Sequence, residues 1–425
     1  MDQFKVYNCK DSFATLLASQ TLKEDLQELK LMQFYNEIVQ PLADLIIKIN
    51  LRGLYVNIEA QNAAILSLEE EISQLQSELN EIAGREINVG GDSLKSWLFE
   101  DIGIKIPKKT KTGKAKVDED TLRSLKYPEL TEVVQLILDI RSKKKLKKTF
   151  LEGLTPDIET GRTYSNYRIG PATGRLACKK PNFQNIPEGV ARSVFCSPPG
   201  SKFIYADFSQ LELRILALLA HDVPLLEIFK EGKDVHDANA RDLFSKKPLE
   251  EVSSRERYFA KTFIYGLNYG GSIETIRGRG SEVFHDISEK LMHEAAARYF
   301  AAHPAIATFR SWIQNELKTK KRLVNAFGRP RVFFSPPTEA LRQGYNFPMQ
   351  SGAADIVNVK MLQIEKEIPG ALRLQVHDSI ILEVPEQEVA EGVRIVQEIL
   401  EERVKEFGGY SFPAKVLIGN NWGEF

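Results

Sequence analysis

Two kinds of apolar pattern alternate along the chain. From Leu31 to Arg52, and again from Ile58 to Ile82, apolar residues return every three or four positions, which predicts two long amphipathic helices. Pro41 marks a bend or fresh start in the first. The Glu- and Gln-rich face of the second reads as its solvated side. Residues 1–30 read as a short, mostly helical lead-in, and Gly53–Asn57 as a turn with a short extended piece. Asp92 or Ser93 is placed to cap a helix carrying Leu94, Trp97 and Leu98. Another helix starts near Leu130, with Leu136, Ile137, Ile140 and Leu146 as its anchoring stripe.

The second pattern is the short apolar run. Phe203–Ala206, Leu372–Val376, Ile380–Val384 and Ala414–Ile418 read as strands. The first run ends on Asp207, and the helical pattern LELRILALLA follows, with Ser209 able to cap it. The second and third runs flank His377-Asp378-Ser379, which makes a hairpin with a carboxylate at its tip. Residues 210–330 read as mostly helical, jointed at Pro224, Gly232 and Pro248. A helix containing Ala353, Ala354, Ile356 and Val357, led by Asn346 and Gln350, precedes the hairpin, and Glu386–Phe407 reads as an amphipathic helix after it.

Composition narrows the picture only a little. The 425 residues suffice for two or three domains, and 43% hydrophobic with 27% charged residues is an ordinary globular balance. No apolar run reaches the length of a membrane span, and the N-terminus lacks the order of a secretory signal. Cys9, Cys178 and Cys196 have no CxxC spacing, which disfavours a disulfide scaffold or zinc site and suits a reducing cytosol.

The net charge of −1 hides a local excess of lysine. Lys105, Lys108, Lys109, Lys111, Lys114 and Lys116 form one basic loop; Arg141 and Lys143, Lys144, Lys145, Lys147 and Lys148 form a second segment. Read together with the apolar stripe beneath them, these lysines point outwards and grip a phosphate backbone; a merely solvated helix face is the plain alternative. TKTGK is not a phosphate-binding Walker loop, because its glycine spacing is wrong. Between Thr163 and Cys196, Arg168, Arg175, Asn182, Gln184 and Asn185 are side chains suited to duplex edges or, equally, to satisfying a loop.

A helix running from Ser253 or Ser254 places Arg257, Lys261, Tyr265 and Tyr269 four apart, on one face. Such a stripe could receive a triphosphate at its cationic end and a base at its aromatic end, or be a half-buried helix face with snorkelling cations. Gly266, Gly270 and Gly271 allow close approach of a ligand or backbone. Asp207 alone could be no more than a helix cap. A sheet that set its strand beside the hairpin would pair it with Asp378, forming a hard-oxygen site suited to Mg²⁺. Two such ions, about 3.5–4 Å apart, activate an attacking hydroxyl and stabilise a leaving pyrophosphate.

With these segments on the page, the chain resembles a family A DNA polymerase of the DNA polymerase I type. DFSQLELR (Asp207–Arg214) resembles its motif A, RERYFAKTFIYGLNYGGS (Arg255–Ser272) its motif B and LQVHDSIILE (Leu374–Glu383) its motif C. TGRL (Thr173–Leu176) and PNFQNIP (Pro181–Pro187) match family palm motifs, and RSKKKLKKTFLEGL (Arg141–Leu154) resembles the thumb. The resemblance implies an α+β right-hand fold, an antiparallel palm sheet with helical fingers and thumb. It divides the chain into the lead-in (1–30), thumb (31–160), first palm segment (161–210), fingers (211–345) and second palm segment (346–425). It also implies template-directed addition of deoxynucleotides to a primer end, in replication or repair, using two Mg²⁺ ions with Mn²⁺ as a substitute.

Residue by residue, the resemblance implies that Asp207, Asp378 and the carbonyl of Phe208 hold the metals, with Lys261 catalytic as well as phosphate-binding. Arg257, Lys261 and His236 would take the nucleotide's phosphates; Tyr265 would lie against its sugar and base, and Gln210 would line the pocket. Glu212 resembles the gate that excludes a 2′-hydroxyl, and Tyr269 would stack at the template position. Arg175, Asn182, Gln184, Asn185, Arg342, Asn346, Gln350 and His377 would contact primer–template DNA, as would Lys143, Lys144 and Lys147. A separate exonuclease, helicase or processivity factor is a further expected partner, and the expected setting is cytoplasmic or a viral or organellar replication compartment.

Three departures matter. Ser379 stands where motif C usually carries Glu, and Tyr265 where many bacterial members carry Phe, which predicts weak rejection of dideoxynucleotides. Only about thirty residues precede the polymerase-like region, short of the ~50-residue domain minimum, so no proofreading is expected from this chain. The alternatives are a single-subunit RNA polymerase, disfavoured by Glu212, and an inactive DNA-binding scaffold, disfavoured by the intact Asp pair. An HD-type phosphohydrolase fits poorly, although His-Asp pairs begin at 221, 236, 285 and 377, because two of those pairs lie inside polymerase motifs.

Overall fold

The computed structural model describes residues 2–106, 108–110, 113–125, 127–244, 250–279 and 287–425. Lys111, Thr112, Pro248 and the His285–Asp286 pair lie outside the described residues.

The chain opens with an exposed helix, α1 (Asp2–Glu28). A bent helical stretch follows from Met32, with one π-type turn at Tyr35–Val39 just ahead of Pro41, and straightens into α2 (Gln40–Arg52). Gly53 stops it at φ 63°, and β1 (Leu54–Tyr55) pairs with a later short strand. Asn57 accepts the Ala60 amide (2.9 Å) and caps α3 (Ile58–Ala83), which Gly84 ends in a left-handed conformation. α4 (Thr131–Lys145) packs against α3 and continues as a π-type turn to Leu151. Leu79, Trp97, Leu98, Leu122, Ile137 and Ile140 form a separate core for this helical lobe.

Asp92 and Ser93 do not cap the helix between them. Both lie inside it, behind Gly91, and Ser93 Oγ instead accepts the Asn88 amide (2.8 Å), closing the preceding loop. The lysines of the second basic segment lie at the lobe's surface, where three of them meet side chains of other segments. Lys143 pairs with Glu71, Lys147 with Glu69 (2.5 Å) and Glu152 (3.2 Å), and Lys144 donates to Gln76 (3.0 Å). The Glu/Gln row of α3, expected to face solvent, is therefore the partner of the lysines on α4. Opposite charges on two packed helices find each other before they find water. Lys144, Lys145 and Lys148 are exposed.

Short strands β2 (Arg162–Thr163), β3 (Asn166–Ile169) and β4 (Leu176–Lys179) lead to β5 (Ser201–Phe208). α5 (Leu211–Ala220) follows, but Ser209 does not cap it. Gln210 enters it at φ 54°, and Ser209 instead donates its amide to the Pro413 carbonyl (2.9 Å) and accepts Arg214 Nε at its own carbonyl (2.8 Å). The helical lobe after it includes α6 (Val235–Leu243), α7 (Ser254–Asn268), α8 (Glu289–Ala302) and α9 (Pro304–Lys320). Beyond the hairpin β6 (Arg322–Val324) and β7 (Pro330–Val332), a single 31-residue helix, α10 (Pro337–Glu367), runs on without a break through Pro348. It is far longer than the segment around Ala353 predicted, and it crosses position 345/346, where a boundary between two lobes was expected.

β8 (Leu372–Val376) and β9 (Ser379–Pro385) form the hairpin, with a two-residue turn, His377-Asp378, because Val376 already pairs with Ser379. The following helix is shorter than the pattern implied: α11 (Val389–Glu401) lies between two isolated 3-10 turns. With β10 (Ala414–Gly419) the sheet has the order β10-β5-β9-β8, antiparallel throughout. Ser379–Val384 of the interior strand β9 is buried on both faces, so each of its Ile and Leu residues contributes about 1.5–3 kcal/mol by leaving water. The architecture is α+β, helical lobes around a small antiparallel sheet. Among the described residues, no helix is long and apolar enough to cross a membrane.

Candidate active site

The sheet delivers the acids. Asp207 lies opposite Ser379 in the β5–β9 ladder, and the Phe208 amide donates to the Asp378 carbonyl (3.3 Å), so the two aspartates are neighbours across one strand pair. His377 holds the turn beside them at φ 57°. Burial, and then the charge of Asp378, push the Asp207 carboxyl up to about 7, against the opposing pull of Lys415. Burial also raises Asp378, against the hydrogen bond from its own backbone amide and the charges of His377, Arg175 and Lys261. No side-chain hydrogen bond or ion pair satisfies either carboxylate among the described residues.

Ser379, buried, donates to the Val376 carbonyl (2.9 Å) and adds no charge. Among the described residues, no group of three or more His, Cys, Asp or Glu is placed to hold a metal ion by itself. Two adjacent, half-desolvated and uncompensated carboxylates fit a hard divalent cation that takes its other ligands from carbonyls, water and phosphate.

One turn into α5, Glu212 accepts hydrogen bonds from Arg175 and from the Tyr269 hydroxyl. Burial raises its carboxyl, and Arg175 works against that. Arg175 and Tyr269, both expected at DNA, are thus engaged with the expected sugar gate. The loop that carries Arg175 is itself fixed, because Asn358 donates to the Gly174 carbonyl (3.1 Å) and the Arg329 guanidinium sits where a Gly174 side chain would be. Arg329 is in turn bound to the fully buried Asp355 (2.7 Å). The Gln210 side-chain oxygen Oε1 is buried without a partner.

α7 supplies the opposite wall. Ser253 and Glu256 form a full capping box, and Phe259, Phe263, Ile264 and Leu267 bury the far face of the helix. That leaves Arg257, Lys261, Tyr265 and Tyr269 along the near face. The Tyr265 ring lies 5.8 Å from His236 and 5.9 Å from Tyr269. Burial, then Glu212 and Asp378, push its hydroxyl up to about 12, so it stays protonated and able to donate. His236 is buried with Nδ1 unpartnered, and burial, reinforced by Lys261 and Arg257 against Asp234, holds its pKa down to about 4. Gly270 ends the helix at φ 71°, where a Cβ would meet the Tyr345 ring at 2.6 Å.

The remaining expected contacts are dispersed around this cleft. Gln184 donates to Gln375 (3.0 Å), while Asn185 is exposed. Arg342, Asn346 and Gln350 share one face of α10 at four-residue spacing. The side-chain oxygens of Asn182 and Asn346 are buried and unpaired. Two site residues were missed in the sequence. Gln375, which donates to the His377 carbonyl (2.5 Å), interrupts an apolar strand, and that interruption was its signal. Asp234, which binds Arg257, had a helix-cap position as its only mark.

The cleft thus sets two acids on a sheet opposite a helix whose near face carries Arg257 and Lys261. The model of DNA polymerase family A matches residues 58–424, and the chain belongs to that family. It is 33% identical over 403 residues to "DNA polymerase I, thermostable" of Thermus filiformis, covering 88% of this chain and 46% of that protein. It is 32% identical over 419 residues to DNA polymerase I of Pseudomonas aeruginosa, covering 93% and 45%. The chain therefore spans about half the length of the curated relatives it matches. The POL domain of Pol1 from M. smegmatis, solved in complex with DNA primer-template and dNTP, superimposes with a TM-score of 0.84 at 27% identity, over 96% of this chain and 74% of that one.

Proposed function

We propose that this chain is a DNA-directed DNA polymerase that extends a primer 3′ end on a DNA template and releases pyrophosphate. One observation carries the reading: the uncompensated pair Asp207 and Asp378 lies within electrostatic reach of Lys261 and Tyr265 on the facing helix. Asp207, Asp378 and the Phe208 carbonyl would hold two Mg²⁺ ions, with Mn²⁺ as a substitute. Bound there, they would supply charge neutralisation and a more acidic primer hydroxyl.

The chain's own residues do the rest. Arg257, Lys261 and the neutral His236 receive the triphosphate. Tyr265 stays protonated and directs its hydroxyl at the sugar. Glu212, fixed from two sides, crowds a 2′-hydroxyl and favours deoxynucleotides over ribonucleotides. Arg342, Asn346 and Gln350 line up along a rigid helix to follow the duplex, with Asn182, Gln184, Asn185 and His377 nearer the sheet. We assign the sheet lobe as palm, the α6–α9 lobe as fingers and the α3–α4 lobe as thumb. A separate exonuclease, helicase or processivity factor would add to this core in replication or repair.

The test is primer extension on a defined template with Mg²⁺. Asp378→Asn should lower the rate at least ~10³-fold, the scale of several kcal/mol of lost charge stabilisation. A variant within tenfold of the wild type would remove the acid pair from the mechanism.

A further inference from the structure

The phosphate end of the cleft already holds an anion. Asp234, the residue ahead of α6, uses its two oxygens for two tasks. Oδ1 accepts the backbone amides of His236 (2.8 Å) and Asp237 (3.1 Å), capping α6. Oδ2 accepts both Nε (3.0 Å) and Nη2 (2.6 Å) of Arg257, across the packed pair α6 and α7. Both side chains are partly exposed, at 44% for Arg257 and 39% for Asp234. The pair is thus open to exchange, not locked in the core.

We propose that Asp234 is a positioning residue that stands in for a phosphate group, holding Arg257 in register between turnovers and competing with the triphosphate and pyrophosphate for it. The inference rests on the polymerase reading of the site. Because the cap uses one oxygen and the ion pair the other, Arg257 transfers to a ligand without uncapping α6. When pyrophosphate leaves, Asp234 recaptures the guanidinium and disfavours rebinding. The carboxylate therefore weakens nucleotide binding and eases product release.

Asp234→Asn keeps a capping oxygen and removes the charge. In steady-state primer extension, its KM for deoxynucleotide and its inhibition constant for inorganic pyrophosphate should both fall about two- to fivefold, the range that partly exposed ion pairs occupy. Its kcat should not rise. The gain should vanish in the background of Arg257→Ala, because Asp234 acts through that residue. Constants that stay unchanged or rise, or a gain that persists without Arg257, would overturn the proposal. Asp234→Ser, also a good cap, gives a second neutral variant if a thermal melt shows that Asp234→Asn is unfolded. Calorimetric binding of inorganic pyrophosphate to the full chain separates the two readings. A chain that extends no primer contradicts the polymerase assignment, whereas pyrophosphate binding still reports whether Asp234 competes.

Discussion

On the sheet wall of the cleft, Asp207 and Asp378 keep their carboxylates unpaired, and burial forces their proton affinity upwards. On the helix wall, Arg257 lies on Asp234 and Glu212 lies between Arg175 and Tyr269. The first wall is incomplete without a cation from outside. On the second, Arg257 and Glu212 already have partners of opposite charge. On the proposed function, loss of charge on the sheet wall should remove chemistry, whereas loss of charge on the helix wall should shift binding and selection.

Lys261 tests the boundary between the two, since it stands on the helix wall yet its charge reaches Asp378. Lys261→Ala should lower kcat/KM about a hundredfold, the cost of removing one charge aimed at the reacting phosphates. An effect confined to KM would assign Lys261 to binding alone. Next in size is Tyr265→Phe. Removal of its hydroxyl should improve rejection of dideoxynucleotides about tenfold, the worth of one neutral hydrogen bond. A competition assay in which the variant and wild type discriminate equally would take the hydroxyl out of sugar recognition.

The bare acids also leave a mark on stability. At Asp207 the folded state binds more protons than the unfolded state between about pH 4 and 7, so this group's contribution to stability falls as pH rises through that window. In metal-free buffer, Asp207→Asn should melt later than the wild type at pH 8, by on the order of 1 kcal/mol, and no later at pH 5. Mg²⁺ should stabilise the wild type and not the variant. Equal melts at pH 8 would mean that neither burial nor the Asp378 charge disfavours the ionised Asp207. The smallest effect is expected at the thumb. Replacing Lys143, Lys144 and Lys147 together by Ala should reduce the slope of log affinity for duplex against log salt by less than about one. Each freely phosphate-bound lysine would account for about 0.9. A drop near three would show that the lysines abandon Glu69 and Glu71 for DNA.

Much of this was legible before the structure. The α7 stripe, its Ser253 cap and the strand ending at Asp207 follow from local spacing, because helix and strand periods are short-range properties. The pairing of Asp207 with Asp378 needed only the assumption that two strands meet. What escaped was non-local or subtle in pattern. Nothing in the local sequence of α4 announces that Glu69 and Glu71, more than seventy residues away, neutralise its lysines. The pattern at Ser209 allows a cap, yet the left-handed Gln210 turns the chain before any cap forms. The length of α10 escaped as well, because the helix runs through Pro348, a residue that ordinarily interrupts a helix.

That helix has a mechanical consequence. At about 1.5 Å per residue, α10 is a strut of roughly 46 Å. It touches α9 and β6 at one end and α2, α5 and β8 towards the other. A strut transmits displacement without absorbing it. Any swing of α7 relative to the sheet must therefore be taken up at short joints such as Gly270, where the chain turns against Tyr345 of that same helix. Asn346 and Gln350 ride on the strut itself, so the face they present is held at a fixed distance from the acids.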